Sequence, residues 1–242
     1  MRRALIVGGA NGIGLTIATL MAQDSKYEKI YILDKVAMDS KYDCEKFSHH
    51  TFDLRSDDYS YFDRFSDIDT LMITAGFGRL AHFADVEEQH IIDSFSVNTT
   101  AVIRIIHHFY KRLLDNEDFY CGVMGSIAGF MSSPLFAIYG ATKAALKIFI
   151  ESVNVELEMA GTSNRILNVS PGSIKGTAFY NGATDLSITT ALGSQIISHL
   201  ESKDDLFIPQ YEEIFKHVLE RYHDDFRAEG RHSYEYKMKS NR

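Results

Sequence analysis

Apolar residues along the chain form short uninterrupted runs that alternate with longer amphipathic segments. Uninterrupted runs are typical of parallel strands buried on both faces, whereas apolar residues three and four positions apart indicate helices. The alternation predicts an α/β fold, a three-layer, doubly wound parallel sheet with helices on both faces. The predicted strands are residues 4–7, 29–33, 47–52, 70–73, 121–124, 165–169 and 206–209. The predicted helices are 15–22, 86–114, 137–159 and 211–227, with a helix and loop over 55–67.

Composition adds three constraints to this pattern. A chain of 242 residues with 45% apolar content and no linker-like stretch predicts one domain, with residues 205–242 as its divergent C-terminal extension. The net charge of -8 argues against nucleic acid or a membrane surface as partner. Two cysteines give no disulfide framework. No apolar run approaches the ~18 residues of a membrane-spanning helix. The first predicted strand begins at residue 4, where a signal peptide would otherwise be expected. A cytoplasmic location without signal peptide is therefore expected.

A glycine-rich turn follows the first predicted strand. Gly8, Gly12 and Gly14 are spaced as G-x-x-x-G-x-G, with Asn11 and Ile13 between them, and a helix begins directly afterwards. Glycine permits positive φ and close backbone approach, and the start of a helix offers N–H groups to phosphate. The turn therefore predicts a binding site for the pyrophosphate of a dinucleotide.

Asp34 ends the second predicted strand, twenty residues after Gly14. A carboxylate at that offset can accept hydrogen bonds from the adenosine ribose, and its charge would repel a 2′-phosphate. NAD is therefore predicted in preference to NADP. Lys35, directly after it, is a basic residue that could assist a phosphate.

Candidate acid–base chemistry lies in the stretch from Ser126 to Lys143. Tyr139 and Lys143 are four residues apart in a predicted helix, so their side chains share one face. An ammonium beside a phenol favours the phenolate, which predicts a Tyr139 pKa below the usual ~10. Ser126, thirteen residues before Tyr139, follows a predicted buried strand and could hydrogen-bond the same substrate oxygen.

These motifs, in this order, resemble a classical short-chain dehydrogenase/reductase over roughly residues 4–180. The resemblance implies a Rossmann-type fold, and it implies catalytic roles for Asn98, Ser126, Tyr139 and Lys143, with Asn98 helping to hold a water near the lysine. It also implies a homodimer or homotetramer built through the two long helices. Further cofactor contacts that it implies are Asp53 and Leu54 at the adenine, Ala75 and Gly76 beside the cofactor, Pro171, Gly172, Ile174 and Thr177 near the nicotinamide, and Tyr139 and Lys143 themselves.

Three positions depart from the family pattern. Val7 stands where a Thr usually precedes the first glycine, Thr74 replaces the usual Asn before Ala75, and Gly176 replaces a Thr, with Thr177 one position later. Val7 and Thr74 both end strands that would lie under the cofactor, so the two departures are expected to be neighbours.

The expected function is interconversion of a secondary alcohol and a ketone by an NAD(H)-dependent oxidoreductase acting on a small molecule. Two alternatives stay open: a catalytically silent nucleotide-sensing protein of the same fold, and a sugar-nucleotide epimerase or dehydratase of the extended relatives. No metal is expected, because the histidine pairs lack partner ligands at metal-site spacing. Residues predicted to cover the active site, and to favour a partly apolar substrate, are Phe179, Tyr180, Ile188 and Leu192.

Overall fold

The computed structural model describes residues 1–177, 179 and 184–239. Its centre is a seven-stranded parallel sheet. The strands are β1 Arg2–Val7, β2 Tyr27–Asp34, β3 Phe47–Thr51, β4 Thr70–Ile73, β5 Tyr120–Met124, β6 Ile166–Val169 and β7 Leu206–Phe207. Their order in the sheet is β3-β2-β1-β4-β5-β6-β7. The strand order reverses between β1 and β4, and ligands of open α/β sheets bind at such a switch point, outside the carboxyl ends of the strands. The predicted α/β, doubly wound sheet is confirmed.

Two hydrophobic cores lie on opposite faces of this sheet. Along β1, Leu5 and Val7 face one core while Ala4 and Ile6 face the other, and all four side chains are fully buried. Alternation puts successive side chains on opposite faces, so a central strand needs apolar residues at every position. This explains why the inner strands appear in the sequence as continuous apolar runs.

The helices cover both faces. They are α1 Gly12–Gln23, α2 Glu88–Phe95, α3 Ala101–Leu114, α4 Ala137–Met159, α5 Leu186–Glu201, α6 Lys216–Asp224 and α7 Phe226–Lys239. The bounds of α4 are those predicted. The predicted helix over 86–114 is instead two helices, α2 and α3, joined by a π-helical turn at Ser96–Thr100. The 55–67 segment contains a 3-10 helix, Tyr59–Phe65, whose aromatic side chains fill the core on that face.

The C-terminal part differs most from the sequence-based prediction. The single helix predicted over 211–227 is wrong, because α6 ends at Asp224 and α7 starts at Phe226. Asp225 has extended backbone, and its carboxylate accepts hydrogen bonds from the Arg227 and Ala228 N–H groups. It therefore acts as the N-terminal cap of a new helix. The strand predicted over 206–209 is limited to its first two residues.

Helix α5 was not predicted as a helix, and it lies beside α1. The hydroxyls of Thr16 and Thr189 are 2.6 Å apart between the two helices. Leu192 lies against the core on the α1 side of the sheet, while Ile188 is 53% exposed. Leu192, which the sequence predicted over the active site, thus packs at least partly against this core. No helix within the described ranges is long and apolar enough to cross a membrane.

Candidate active site

The glycine turn joins β1 to α1 with almost no free space. Gly8 has φ +85°, which favours glycine, and a Cβ there would lie 2.5 Å from the Ala75 backbone nitrogen. A Cβ on Gly14 would lie 2.2 Å from the Gly8 carbonyl oxygen. Side chains at these two positions would push the start of α1 away from the sheet. The glycines therefore allow the helix N-terminus to sit directly over the strand ends.

Thr74 links the two strands at this turn. Its hydroxyl donates to the carbonyl oxygens of Val7 at 3.1 Å and Gly8 at 3.0 Å, and its backbone N–H also donates to Val7. The expectation that the two family departures, Val7 and Thr74, are neighbours is confirmed. A hydroxyl directly after β4 thus ties the strand ends together where neither the usual Thr nor the usual Asn is present.

Asp34 connects the end of β2 to the glycine turn. One carboxylate oxygen accepts the Ala10 N–H at 3.1 Å, and the other accepts the Val36 N–H at 3.2 Å. The side chain also lines a cavity of about 200 Å³ at the edge of the sheet, together with His49 and Thr51. A carboxylate can accept about four hydrogen bonds, so acceptor capacity remains for a ligand hydroxyl.

At the next strand end, Asp53 is engaged by Arg55, a residue that the sequence does not single out. The Arg55 guanidinium donates to both Asp53 oxygens, at 3.1 and 2.6 Å, and reaches Asp93 at 3.3 Å. Hydrogen bonding from Arg55 lowers the pKa of Asp53 to about 2. Leu54 is 8% exposed and belongs to the core. The expected adenine contact at Leu54 can therefore come only from its backbone or from the small exposed part of its side chain.

Lys143, Asn98 and Gly76 converge beside β5. A Cβ on Gly76 would lie 3.3 Å from Asn98 Oδ1 and 3.4 Å from Lys143 Nζ. The fully buried Asn98 lies in the π-helical turn, where its side chain accepts the Phe77 N–H at 3.0 Å and donates to the Phe77 carbonyl at 2.8 Å. π-helical turns are frequent at functional sites. Here the turn lets Asn98 hold the segment after β4 next to the lysine.

Ser126 reaches the same region through a 3-10 turn at Ile127–Gly129. Its hydroxyl accepts the Ala128 N–H at 3.1 Å and so caps this turn. A Cβ on Gly129 would lie 2.7 Å from the Lys143 carbonyl carbon, so glycine lets the turn lie directly on α4. Ser126 is therefore held beside the first turns of α4, where Tyr139 lies.

The Tyr139 ring lies in an aromatic cluster formed with Phe136 and Phe179. Its centroid is 5.3 Å from that of Phe136 and 5.1 Å from that of Phe179, and the two phenylalanines stack at 6.1 Å. A Cβ on Gly78 would come within 3.0 Å of all three rings. Phe179, which the sequence predicted over the active site, lies against the candidate catalytic tyrosine, whereas Tyr180 lies outside the described residues.

The predicted depression of the Tyr139 pKa by Lys143 is wrong for this structure. Burial raises the pKa of Tyr139 to about 12, and hydrogen bonding to Ser126 acts in the opposite direction. The Lys143 ammonium donates to the Met124 carbonyl at 2.7 Å and lies 5.7 Å from the Tyr139 ring centroid. Burial also lowers the pKa of Lys143 to about 8. Desolvation by burial is thus the largest cause of both pKa shifts.

The loop after β6 completes the site. The Pro171 carbonyl accepts the Ile127 N–H at 3.1 Å, which joins this loop to the Ser126 turn. Thr177, which is buried, donates to the Ile174 carbonyl at 2.9 Å. A Cβ on Gly12 would lie 3.6 Å from the Thr177 side chain. Thr177, one of the predicted nicotinamide-side residues, is therefore next to the glycine turn. Gly176, the third family departure, has φ +74° and accepts the Asp185 N–H.

The residues present fit a dinucleotide. The Gly12 N–H at the start of α1 donates to the Thr184 hydroxyl at 3.1 Å, so this N–H points away from the turn towards an oxygen acceptor. A phosphate oxygen could take the same position, where the helix dipole favours negative charge. Asp34 ends β2 and the Pro171 loop follows β6, so the candidate contacts for such a ligand lie on both sides of the glycine turn along the strand ends. In the described residues, no group of three or more His, Cys, Asp and Glu side chains is arranged to hold a metal.

Comparison with known proteins defines the class. The family described as short chain dehydrogenase matches residues 2–185, and the chain belongs to this family of oxidoreductases. An uncharacterized short-chain type dehydrogenase/reductase of Sinorhizobium fredii is 27% identical over 175 residues, covering 71% of this chain and 69% of that protein.

Solved structures share the fold. A short-chain dehydrogenase from Streptomyces avermitilis has a TM-score of 0.76 at 18% identity, covering 99% of this chain and 100% of that one. A short-chain dehydrogenase from Sphingobium yanoikuyae in complex with NADPH has a TM-score of 0.74 at 21% identity, covering 93% of this chain and 96% of that one. At these identities the likeness describes the fold, a nucleotide-binding Rossmann-type domain.

Proposed function

We propose that this protein is an NAD(H)-dependent oxidoreductase that interconverts a secondary alcohol and a ketone. The observation that carries the proposal is the convergence of Ser126, Tyr139 and Lys143 beyond the carboxyl end of β5, with Asn98 beside the ammonium. These groups adjoin the glycine turn through Gly76 and the Pro171 loop. Fold alone would not support a reaction, whereas a phenol, a hydroxyl and an ammonium in one site do.

Each side chain has a distinct role in this proposal. In ketone reduction the Tyr139 phenol gives its proton to the carbonyl oxygen, and in alcohol oxidation the phenolate takes the hydroxyl proton. The Ser126 hydroxyl hydrogen-bonds the same oxygen and orients it. A nicotinamide cofactor, when bound, would supply the hydride or accept it in the reverse direction.

The high pKa of Tyr139 gives Lys143 a specific task. A phenol with a pKa of about 12 is almost entirely protonated near neutral pH, so the phenolate needs stabilisation when the reaction runs as an oxidation. If the Lys143 ammonium exchanges its bond to the Met124 carbonyl for contacts with the ligand and Tyr139, its charge stabilises that phenolate. Asn98 holds the neighbouring backbone and, with a water, would support proton exchange.

Asp34 supports NAD over NADP. Its carboxylate lies at the end of β2, with one oxygen on the glycine turn, so a 2′-phosphate on the adenosine ribose would meet a fixed negative charge. The Sphingobium yanoikuyae protein of the same fold was solved with NADPH, so the fold itself accommodates either cofactor. Cofactor preference in this chain therefore rests on the side chain of Asp34 and on the exposed Lys35 that follows it.

The proposed partners are a small, partly apolar alcohol or ketone and a second copy of the chain. Phe136 and Phe179 form an apolar wall next to Tyr139. On α4, Ile148, Val155 and Met159 are exposed by 59%, 60% and 82%, at spacings of seven and four that put them along one stripe. Such a stripe supports a homodimer or homotetramer. A cytoplasmic location and the absence of nucleic-acid partners stay predictions from the sequence.

A substrate screen followed by one conservative variant tests the function. Alcohols and ketones are assayed with NAD(H) and NADP(H) at the nicotinamide absorbance, and the best substrate is then used with Tyr139→Phe. Loss of the phenolic oxygen should lower kcat by about 10² to 10⁴, the usual contribution of a positioned acid–base group, without changing cofactor affinity. Tyr236→Phe, at an exposed position on α7, is the matched control.

Two outcomes would contradict the proposal. Near-full turnover by Tyr139→Phe would exclude the mechanism. Tight cofactor binding by the unmodified protein with no turnover of any substrate would instead support the catalytically silent, nucleotide-sensing alternative.

A further inference from the structure

Helix α7 lies against the loop that precedes the candidate catalytic tyrosine. We name residues 130–136, between the Ser126 turn and α4, the pre-tyrosine loop. A Cβ on Gly230 of α7 would be 3.5 Å from Ser132 Oγ and 3.8 Å from Pro134 Cγ. Further along the helix, the Tyr234 ring is 6.0 Å from the His82 ring. The C-terminal helix therefore contacts the active-site side of its own chain.

Lys237 makes the most specific of these contacts. Its ammonium donates to the Ser133 hydroxyl at 2.7 Å and to the Pro134 carbonyl at 2.8 Å. It also lies 5.6 Å from the centroid of the Phe136 ring, within the range of a cation–π interaction. One side chain, more than a hundred positions away in sequence, thus contacts three residues of the pre-tyrosine loop.

The loop needs such support because its backbone is strained. Leu135 has φ +67°, a left-handed conformation that a branched residue rarely adopts and that costs about 1 kcal/mol or more. The Leu135 carbonyl accepts the Ala81 N–H at 2.9 Å from one side, and Lys237 holds the adjacent Pro134 carbonyl from the other. Contacts from two distant segments therefore maintain a conformation that the loop alone would not favour.

The strained residue is followed directly by Phe136, whose ring contacts Tyr139. Phe136 is the last residue before α4, and its ring also stacks on Phe179. A change in the pre-tyrosine loop would therefore move the ring that borders both the phenol and the apolar wall. Small displacements at a reacting group are costly, and a 1 Å misplacement can cost on the order of 10²-fold in rate.

We propose that Lys237 of the C-terminal helix is a positioning residue, which fixes Phe136 and through it the Tyr139 ring and the apolar wall of the substrate site. The proposal rests on the proposed function, because it assigns Lys237 to the reaction of that same site. It gives the C-terminal extension a part in catalysis, although the family match ends at residue 185.

Kinetics of Lys237→Met test the catalytic part. Methionine keeps an unbranched apolar stem but has no donor and no charge, so kcat/KM for the ketone should fall about tenfold while the Kd for NADH changes less than twofold. Lys239→Met removes the same charge from an exposed position two residues later and should leave both values unchanged. In a double-mutant cycle, Lys237→Met should add less than twofold to the loss caused by Phe136→Leu, because both changes act through one ring.

A spectroscopic measurement tests the contact without activity. With 4-fluorophenylalanine at position 136, the ¹⁹F resonance should shift or broaden in Lys237→Met and stay unchanged in Lys239→Met. An unchanged resonance would overturn the proposal. A double variant whose loss of kcat/KM equals the product of the two single-variant losses would also overturn it. A shifted resonance with unaltered kcat/KM would also overturn it, since the contact would then have no catalytic effect. If the unmodified protein turns over no substrate, the proposed function and this catalytic role both fail, while the resonance still reports whether Lys237 positions Phe136.

Discussion

The hydroxyl of Thr74 offers a direct test of how this chain holds its glycine turn together. Thr74→Val removes the hydroxyl and puts a methyl group in its place, whereas Thr74→Ser keeps the hydroxyl and removes the methyl. The Thr74 hydroxyl is 3.1 Å from the Val7 carbonyl oxygen and 3.0 Å from the Gly8 carbonyl oxygen. The two variants therefore separate hydrogen bonding from packing at one atom.

The expected magnitude follows from these distances. A neutral hydrogen bond contributes about 1 kcal/mol net, so the shared hydroxyl contributes about 1 to 2 kcal/mol. A methyl carbon in place of the hydroxyl oxygen would be too close to both carbonyl oxygens, at about 3 Å. Overpacking of this kind typically costs about 1 kcal/mol or more. Thr74→Val should thus lose about 2 to 3 kcal/mol, and Thr74→Ser about 1 kcal/mol or less.

Urea unfolding followed by circular dichroism measures the loss of unfolding free energy in both variants. The slope of this free energy against urea concentration should be the same in each, as a two-state transition requires. Because the hydroxyl ties Gly8 to β4, NADH affinity should also fall in Thr74→Val more than in Thr74→Ser. Equal stability of the two variants would refute the reasoning, since the hydrogen bonds to Val7 and Gly8 would then contribute nothing.

Three further predictions concern the cofactor, the buried lysine and self-association. NADH should bind at least tenfold more tightly than NADPH, about 1.4 kcal/mol, and Asp34→Ala should narrow the gap in calorimetric titration; equal affinities in the unmodified protein would contradict this. The pKa of Lys143 is lowered from 10.5 to about 8, so between pH 8 and 10.5 the unfolded chain holds a proton that the folded protein lacks. The difference in free energy of unfolding between the unmodified protein and Lys143→Met should therefore rise by up to about 2 kcal/mol from pH 7.5 to 9.5. If urea titrations give a difference that does not depend on pH, the lowered pKa of Lys143 is wrong. Sedimentation should give a dimer or tetramer at micromolar concentration, dissociated by Ile148→Glu but not by Lys239→Met; a monomeric unmodified protein would count against it.

Much of the framework follows from local sequence. The bounds of α4 and β4 were predicted to the residue, because burial of consecutive or periodic side chains shows directly in the order of apolar and polar positions. The glycine turn likewise carries its own signal, since the positive φ at Gly8 favours glycine and the close approach at Gly14 leaves no room for a side chain. The positions of Tyr139 and Lys143 on one helical face follow from helix geometry alone.

Local signals were least informative where a boundary depends on a particular side chain. The apolar pattern predicted one helix over 211–227, but the carboxylate of Asp225 caps a new helix instead. Within the helical pattern over 86–114, a π-helical turn places Asn98 against Phe77. A periodic pattern tolerates both changes, because one extra residue or one extended residue alters the direction of a helix while the order of apolar and polar residues stays nearly the same.

The chemistry of the site was decided by tertiary structure. Sequence spacing put Lys143 beside Tyr139 and predicted a lowered phenol pKa, but the fold surrounds the ring with Phe136 and Phe179 and raises that pKa to about 12. The contact of Lys237 with the pre-tyrosine loop was likewise decided by the tertiary structure. Sequence order determines which residues share a helix face or end a strand. The free energy of an ionised group depends instead on every atom packed around it, and those atoms come from segments that only the folded chain brings together.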